Sequence, residues 1–375
     1  MNPSLLIVAG EKSGETYGAA VVRQFRELRP GWSVFGVGGS KMAAEGVELI
    51  FPMDELSLVG VFEILTELPR VRKLFNRLLR EIEDRRPAAA VLIDSPDFNL
   101  RLAKKLNRRG IPVLYYISPT VWAWRKGRLK TIKKHVRKTC LIFPFEDEFY
   151  RKEGVPARFV GHPLLERVRT SLSREEFYAK YGLAPERKLI AVLPGSRRGE
   201  IRFHLPVLAE TIKKIQAGIP SQFVLVLAED LDPAVLNAAL PSDFPPIRIL
   251  KEDAYEAMAA ADLVLSACGT ANLEAALLGT PFVAFYRVLP MTYWAFVRLV
   301  KTSSYSIVNI LAGEKIVPEL IQRDFTADNV FREVKTLLES EAAREKMKSR
   351  FRLIRTSLGT GHASRNVAEE LAGMI

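Results

Sequence analysis

The chain has 375 residues, 48% hydrophobic and 26% charged, which suits about two globular domains and excludes a disordered protein. Its two cysteines show no CxxC pattern, so a disulfide framework is excluded and free thiols are expected. We expect neither a secretory signal nor a membrane span, because every apolar run is short or interrupted. The net charge of +12 leaves nucleic acid, an anionic membrane surface or anionic substrates as partners.

Short apolar segments alternate with helical patterns along the whole chain, which predicts an α/β fold with mainly parallel sheets. The pattern is interrupted by a polar stretch after residue 165, so two doubly wound domains are predicted. In this stretch Leu172 to Tyr181 is predicted to be helical, with Ser173 and Glu176 forming a capping box. From about Thr326 onward the chain is predicted to be helical. The predicted strands are Leu5–Ala9, Ser33–Val37, Ala89–Ile93, Val113–Ile117, Thr139–Phe143, Arg158–Val160, Lys188–Leu193, Gln222–Leu227, Ile247–Leu250, Asp262–Leu265 and Pro281–Phe285.

The first loop of the chain, residues 10–16, follows a predicted strand and opens a helix. Its backbone N–H groups could therefore face an anion, although the loop lacks the Gly-Lys-Ser/Thr ending of a Walker A motif. A simple tight turn is an equally good interpretation. The Gly-rich segment 36–39 fails as a dinucleotide fingerprint, because Lys41 stands where the last glycine is needed.

A basic zone extends from residue 70 to residue 138, with 20 Lys and Arg against five Asp and Glu. It begins in a predicted helix whose apolar residues recur at helical spacing, and Pro69 is expected to kink this helix or to start a second one. The pattern suits an interfacial helix on anionic lipid, but alone it favours an ordinary packed helix with a solvated basic side. Nucleic acid is disfavoured because no nucleic-acid-binding motif accompanies the charge. The apolar residues are Val61, Ile64, Leu65, Leu68, Val71, Phe75, Leu78 and Ile82.

Asp94 follows the apolar strand Ala89–Ile93 directly, at a strand end where open α/β sheets bind their ligands. Pro96 forces a turn, and Asp97 is predicted to cap the helix that starts at Phe98. Asp94 then has no evident structural task. The residues alone leave open whether it acts on a substrate or only closes the turn.

Two loops in the second half join a predicted strand to a helix, as a phosphate-binding loop does. In the first, a glycine allows close backbone approach and an arginine can pair with phosphate oxygens. In the second, a glutamate in the first helical turns could accept the hydroxyls of a ribose, although a glutamate that complements the helix dipole is the commoner case. Together the loops predict a nucleotide pocket. The residues concerned are Gly195, Ser196, Arg197, Gly269, Thr270 and Glu274.

Metal binding is not expected, because none of the four histidines pairs with a His or Cys at metal-ligand spacing. His162 precedes Pro163 near the predicted domain junction, and a ligand contact and a structural hinge are equally good interpretations. Cys268 is predicted to be a small packing residue rather than a reactive thiol.

With these residues assembled, the chain resembles the lipid-A-disaccharide synthases. Six motifs in the same order carry the resemblance, and the Ser-Pro-Thr-Val-Trp-Ala-Trp-Arg segment is the most specific. They cover residues 8–15, 93–99, 116–125, 193–197, 269–271 and 309–313. The resemblance implies a GT-B fold, with two Rossmann-like domains facing a cleft. It also implies an inverting transfer from UDP-2,3-diacylglucosamine to the 6-hydroxyl of 2,3-diacylglucosamine 1-phosphate, with no cofactor.

The resemblance also implies roles. The catalytic residues would be Asp94 and Arg197. The UDP-sugar would contact Gly195, Ser196, Gly269, Thr270, Glu274 and Asn309. The acceptor side would include Ser13, Gly14, Glu15, Ser118, Trp122, Trp124 and Arg125. Because both substrates carry acyl chains, the resemblance reverses the choice for the basic helix and implies a membrane contact through Val61, Phe62, Leu65, Leu68, Arg72, Lys73 and Phe75.

The expected organisation is an acceptor and membrane-binding domain over residues 1–165 and a UDP-sugar domain over residues 166–344. Helices from about 345 to 375 either pack back on the first domain or exchange between subunits of a homodimer. The enzyme is expected on the cytoplasmic face of the inner membrane. The alternatives are an enzyme like UDP-N-acetylglucosamine 2-epimerase, which has a soluble substrate, and a non-catalytic nucleotide-sugar or lipid-binding protein.

Overall fold

The computed structural model describes residues 3–56, 64–228, 231–237, 240, 244, 247–299, 302 and 304–375. The chain divides into two compact units. Unit 1 comprises Met1–Glu166 together with Leu358–Ile375, and unit 2 comprises Arg167–Ser357. Each unit is built around one parallel sheet, as the alternation of strands and helices predicts.

Unit 1 has a seven-stranded sheet in the order β3-β2-β1-β4-β5-β6-β7. The strands are β1 (Ser4–Ala9), β2 (Ser33–Gly38), β3 (Glu48–Pro52), β4 (Ala89–Ile93), β5 (Val113–Tyr116), β6 (Lys138–Leu141) and β7 (Ala157–Phe159). The helices are α1 (Lys12–Leu28), α2 (Ser40–Ala44), α3 (Ile64–Arg85), α4 (Pro96–Asn107), α5 (Arg128–His135), α6 (Pro144–Lys152) and α7 (Leu164–Arg167), the last of which crosses the division. A 3-10 turn covers Met53–Leu56.

The central strands of this sheet are apolar on both faces because helices cover both. On β1, Leu6 and Val8 belong to one buried cluster, whereas Leu5 and Ile7 belong to the other. Such strands lack the alternation of a half-exposed sheet, which is why they appear in the sequence as continuous apolar runs.

Unit 2 has a six-stranded sheet in the order β10-β9-β8-β11-β12-β13. The strands are β8 (Lys188–Leu193), β9 (Ser221–Val226), β10 (Arg248–Leu250), β11 (Leu263–Ala267), β12 (Phe282–Tyr286) and β13 (Glu319–Ile321). The helices are α8 (Arg174–Tyr181), α9 (Arg198–Gly218), α10 (Ala234–Asn237), α11 (Ala254–Ala260), α12 (Thr270–Leu278), α13 (Pro290–Leu299), α14 (Ile307–Ala312), α15 (Ala327–Glu339) and α16 (Glu341–Ser357).

The last helix, α17 (Ala363–Ala372), completes unit 1. Val367, Ala368 and Leu371 are buried in the cluster that contains β1 and α1. Glu370 pairs with Lys138 at 3.0 Å and also with Arg158. In this structure residues 358–375 belong to unit 1, whereas α16 belongs to unit 2.

Both sheets have the strand order of a doubly wound Rossmann fold, in which the direction of winding reverses beside the first strand. This switch point lies between β1 and β4 in unit 1 and between β8 and β11 in unit 2. Ligands of such sheets bind in the crevice beyond the carboxyl ends of the two strands at the switch point. These four strands are followed directly by residues 10–15, 94–97, 194–197 and 268–270, respectively.

The predicted strands are all present, with ends shifted by up to two residues, and the predicted capping box of Ser173 and Glu176 is present at α8. Helix α3 is continuous through Pro69. Two strands were missed, β3 and β13. Each lies at an edge of its sheet, where one neighbour is absent and a long apolar run is not required.

Candidate active site

The turn after β4 holds Asp94 in a strained conformation. Asp94 and Ser95 are consecutive non-glycine residues with positive φ, 49° and 44°. The carbonyl oxygen of Asp94 accepts hydrogen bonds from the Asn99 amide at 2.8 Å and from the Tyr115 hydroxyl. Such backbone costs about 1–3 kcal/mol per residue and persists only where neighbours fix it, so the turn is a candidate functional position.

The Asp94 carboxyl is largely buried in this turn. Burial, and to a smaller extent the nearby Glu11 carboxylate, raise its pKa to about 6 against the opposing effect of the Ser95 amide. A carboxylate whose pKa approaches neutrality accepts a proton far better than an ordinary aspartate does. Asp94 therefore has the properties of a general base.

The prediction that Asp97 caps α4 is wrong. The helix begins at Pro96 with Ser95 before it, so Asp97 lies inside the first turn. Its carboxylate instead pairs with Arg128 at 2.6 Å and with Arg125 at 3.5 Å. Because of the left-handed turn at Asp94, the helix begins at Pro96, two residues before the predicted start at Phe98.

Arg125 belongs to the Trp-rich loop that follows β5, and Arg128 is the first residue of α5, to which this loop leads. The Arg125 guanidinium lies 4.5 Å from the Trp124 ring centre, and the Trp124 indole donates a hydrogen bond to the Thr120 hydroxyl at 3.0 Å. Asp97 thus connects the start of α4 to this loop through charged side chains that cover Trp124. The contact links the Asp94 turn to the segment that the family resemblance assigns to the acceptor.

The first half of the loop packs against α6. Ser118 is buried and hydrogen bonds with the Tyr150 hydroxyl, and Trp122 packs edge-on against Phe145 at 5.0 Å. Glu146 is buried beside them, accepts the Phe143 amide at 3.2 Å, and has its pKa raised by burial to about 8. The sequence analysis missed Glu146, whose place in an ordinary acidic first turn gave no signal.

His162 is buried inside unit 1. Its Nδ1 accepts the Leu164 amide at 3.1 Å, its backbone N–H donates to Leu358, and Phe143 lies 5.1 Å from its ring. Burial lowers the pKa of His162 to about 3, so the ring is neutral at physiological pH. These contacts anchor the returning segment at residue 358.

The loop after β1 places Ser13 at the surface, whereas Gly14 and Glu15 are buried. The Glu15 carboxylate accepts the Lys41 backbone amide at 2.8 Å, at the start of α2. Gly36 in the same region is required, because a Cβ there would lie 1.8 Å from the Ile7 carbonyl oxygen. The Gly-rich segment 36–39 therefore serves strand packing.

Of the residues expected at a membrane, Val61 and Phe62 lie outside the described residues, and nothing is described for the side chains of Leu65 and Leu68. Arg72 and Lys73 are exposed on α3. Phe75 is half-buried and packs edge-on against Phe98 at 5.3 Å, so it serves the core of unit 1.

In unit 2, the loop after β8 exposes Ser196 and Arg197. Gly195 has a φ of +127°, and a Cβ there would lie 2.6 Å from Glu200. One Glu200 oxygen accepts the backbone amides of Ser196 at 2.9 Å and of Arg197 at 3.3 Å, and the other accepts the Tyr286 hydroxyl. Glu200 therefore accepts these two backbone amides within the unit, while the Arg197 side chain, which was expected to pair with phosphate oxygens, is 79% exposed.

His204 supports this loop from below. Its ring is buried, its Nδ1 lies 2.6 Å from the Pro194 carbonyl oxygen, and its Nε2 accepts the Arg287 amide at 2.9 Å. Burial lowers the pKa of His204, so the neutral ring donates to one strand end and accepts from another. Sequence reasoning missed this role, because a lone histidine on a helix carries no signal of its partners.

The loop after β11 exposes Gly269 and Thr270 beside the β8 loop. Within the described chain, no side chain caps the first turn of α12, and a Cβ at Gly269 would contact nothing. Its N–H groups are thus accessible to an anion. Glu274 is further inside: it accepts the Tyr255 hydroxyl at 3.0 Å, and burial raises its pKa.

Asn309 is buried, and both ends of its amide are used within the unit. Its oxygen accepts the Ile316 and Val317 amides at 2.8 and 3.0 Å, and its nitrogen donates to Glu319 at 2.9 Å. Glu319 also accepts the Ser306 amide at 2.8 Å, at the start of α14. Asn309 therefore shapes this loop through its contacts. Burial, and to a smaller extent Glu319, raise the pKa of Cys268, which suits a packing residue.

The described residues contain no group of three or more His, Cys, Asp or Glu arranged to hold a metal ion. Among the described helices, none is long and apolar enough to cross a bilayer.

Comparison with known proteins decides the family. A model of the family "Lipid-A-disaccharide synthetase" matches residues 5–372. The chain belongs to this family. The lipid-A-disaccharide synthases of Koribacter versatilis and Solibacter usitatus are 43% and 41% identical to it, over 99% and 100% of this chain and 97% and 99% of theirs. The resemblance predicted from the six motifs is confirmed, and the chain is a glycosyltransferase.

Solved structures with the same fold are more distant in sequence. A UDP-GlcNAc 2-epimerase from Neisseria meningitidis bound to UDP-GlcNAc has a TM-score of 0.69 at 15% identity, over 99% of this chain and 100% of that chain. MurG of Acinetobacter baumannii has a TM-score of 0.59 at 15% identity over 100% of both chains. These similarities confirm the GT-B fold, and the epimerase alternative is supported by fold alone.

Proposed function

We propose that this lipid-A-disaccharide synthetase family member transfers 2,3-diacylglucosamine from its UDP derivative to the 6-hydroxyl of 2,3-diacylglucosamine 1-phosphate. The products are a β-1,6-linked disaccharide 1-phosphate and UDP. The observation that supports the proposal most directly is Asp94, a largely buried carboxyl with a pKa of about 6 at the switch point of unit 1. A sugar hydroxyl is a poor nucleophile at neutral pH and needs such a base.

In the proposed step the acceptor oxygen attacks the anomeric carbon from the face opposite UDP. The hydroxyl proton passes to the Asp94 carboxylate, and the new C–O bond forms as the bond to UDP breaks. The electron pair leaves with the diphosphate, so the anomeric configuration inverts. The products are then the disaccharide, UDP and a protonated Asp94, which returns its proton to water.

Unit 2 would stabilise the charge that develops on the leaving diphosphate. Arg197 has an exposed guanidinium, and the uncapped first turn of α12 has N–H groups and a positive helix end near Gly269 and Thr270. Glu274, whose pKa is raised by burial, is proposed to accept ribose hydroxyls. Asn309 is proposed to position the nucleotide loop through its contacts with Glu319.

Unit 1 would bind the acceptor and the membrane. Arg125 and Trp124 are proposed to meet the acceptor's sugar phosphate, while Ser118 and Trp122 hold the loop against α6. The exposed Arg72 and Lys73 of α3 suit an anionic bilayer. This arrangement corresponds to a peripheral enzyme on the cytoplasmic face of the inner membrane, and a homodimer is compatible with it.

The test is incubation of the chain with both diacylated substrates in detergent, followed by mass spectrometry of the lipid product. We expect the disaccharide 1-phosphate in amounts that match released UDP, and none with Asp94→Asn. Epimerisation of UDP-N-acetylglucosamine in the absence of any acceptor, without disaccharide formation, would refute the proposal. A non-catalytic binder would instead retain both ligands unchanged.

A further inference from the structure

Helix α13 presents large apolar side chains to solvent. Met291 is 78% exposed, Trp294 is 58% exposed, and Val297 and the preceding Leu289 are about half exposed. The three-residue spacing of Met291, Trp294 and Val297 places them on one side of the helix. At the Val297 edge of this side, the Tyr293 hydroxyl hydrogen bonds with Tyr305 at 3.2 Å, which attaches the helix to unit 2.

The chain segment that contains this helix carries charge of one sign. Residues 287–313 contain Arg287, Arg298 and Lys301 and no aspartate or glutamate. The Arg287 side chain hydrogen bonds to the Gln322 carbonyl, whereas Arg298 lies in the last turn of the helix and Lys301 follows it in the sequence. A basic segment favours an anionic partner, and exposed apolar side chains favour one with a hydrocarbon interior.

The length of α13 limits what that partner can be. Ten residues span about 15 Å, which is half the hydrocarbon thickness of a bilayer, so the helix can lie in an interface but cannot cross it. Tryptophan is the residue most typical of the boundary between headgroups and acyl chains. A soluble protein partner would explain the exposed apolar side chains, but it would not explain why the segment 287–313 carries only positive charges.

We propose that Leu289, Met291, Trp294 and Val297 form a lipid-facing surface of unit 2 that inserts into an anionic bilayer. The inference rests on the proposed function, since acyl-chain substrates are available only from a membrane. It adds a contact to that of α3, so each unit carries its own attachment. The nucleotide-binding unit then stays at the membrane independently of the acceptor-binding unit.

The test is sedimentation with vesicles of phosphatidylglycerol and phosphatidylethanolamine. The triple variant Met291→Ser, Trp294→Ser, Val297→Ser is expected to bind roughly tenfold more weakly, because three apolar side chains no longer insert. Leu353→Ser is the matched control, since Leu353 is 60% exposed on α16 of the same unit, and it should bind as the unaltered chain does. Equal thermal midpoints show that all variants are folded.

A second measurement uses Trp294→Phe, which keeps the apolar ring. Brominated lipids quench tryptophan fluorescence only at short range, so this variant should lose part of the quenching that the unaltered chain shows. Unchanged vesicle binding by the triple variant, or unchanged quenching after Trp294→Phe, would overturn the proposal. So would a dimer that the triple variant dissociates without losing vesicle binding, because the surface would then bind a second copy.

The same samples separate this proposal from the proposed function. Disaccharide synthesis from detergent-dispersed substrates needs no bilayer, so its absence would refute the function and leave vesicle binding as measured. Normal synthesis together with unchanged vesicle binding by the triple variant would refute the lipid-facing surface alone.

Discussion

Replacing Asp94 with asparagine should abolish turnover and, at the same time, stabilise the protein at neutral pH. Asparagine tolerates the left-handed backbone that residue 94 adopts, at a φ of 49°, so the turn is kept while the charge is removed. Above pH 6 the unaltered chain must ionise a carboxyl that burial disfavours. The variant avoids this cost.

The magnitude follows from the pKa. A rise from 3.8 to about 6 corresponds to about 3 kcal/mol of unfolding free energy. The stabilisation given by the protonated carboxyl is complete below pH 3.8 and is lost as the pH rises to about 6. The asparagine variant should therefore exceed the unaltered chain by about 3 kcal/mol at pH 8, and the difference should vanish near pH 4.

The assay is urea unfolding of both proteins between pH 4 and pH 8, with turnover measured on the same samples. Asp97→Asn is the matched control, because this carboxylate lies three residues away, is 77% exposed and pairs with Arg128. It should lower stability slightly or leave it unchanged. A stability difference at Asp94 that is absent at pH 8, or that does not change with pH, would refute the reasoning.

Three further predictions concern the surroundings of the site. Glu11→Gln should lower the pKa of Asp94, so the acidic limb of the plot of kcat/KM against pH should move to lower pH. An unmoved limb would exclude an electrostatic interaction between Glu11 and Asp94. Arg197→Gln should lower kcat about 100-fold with an unchanged unfolding midpoint, since its side chain is exposed, and a change in KM alone would contradict a role in the transition state. His204→Ala should cost about 2–4 kcal/mol of stability, measured by urea unfolding, and weaken UDP binding in calorimetry; retained stability would show that its two backbone contacts are dispensable.

The sequence predicted the strands buried on both faces because their apolar runs are continuous, and the missed strands show the limit of that signal. Glu48–Pro52 and Glu319–Ile321 are short, carry a charge at one end and lie at sheet edges. These segments are extended because each pairs with one neighbouring strand. Such a long-range contact is not evident from local composition.

The candidate site divides in the same way. The positions of Asp94 and Arg197 at strand ends follow from the chain order of strands and loops, so the sequence could place them. The neighbours that set the burial and hydrogen bonding of these residues are harder to predict. Some lie far along the chain, and others are brought close only by an unusual backbone conformation. Two hydrogen bonds are examples: the Ser196 amide donates to Glu200, and the Tyr115 hydroxyl donates to the Asp94 carbonyl. Both depend on side-chain directions that are fixed only when the sheet has formed.

The return of α17 to unit 1 has a consequence for synthesis on the ribosome. Unit 1 lacks its last helix until residues 358–375 emerge, so unit 2 is in effect an insertion in the first unit. At about 5–20 residues per second, the apolar surface that α1 shares with this helix stays uncovered by it for about 10–40 s after residue 166 is made. A chain that is cut short before residue 358 would expose that surface permanently, and chaperones or proteases would recognise it as incomplete.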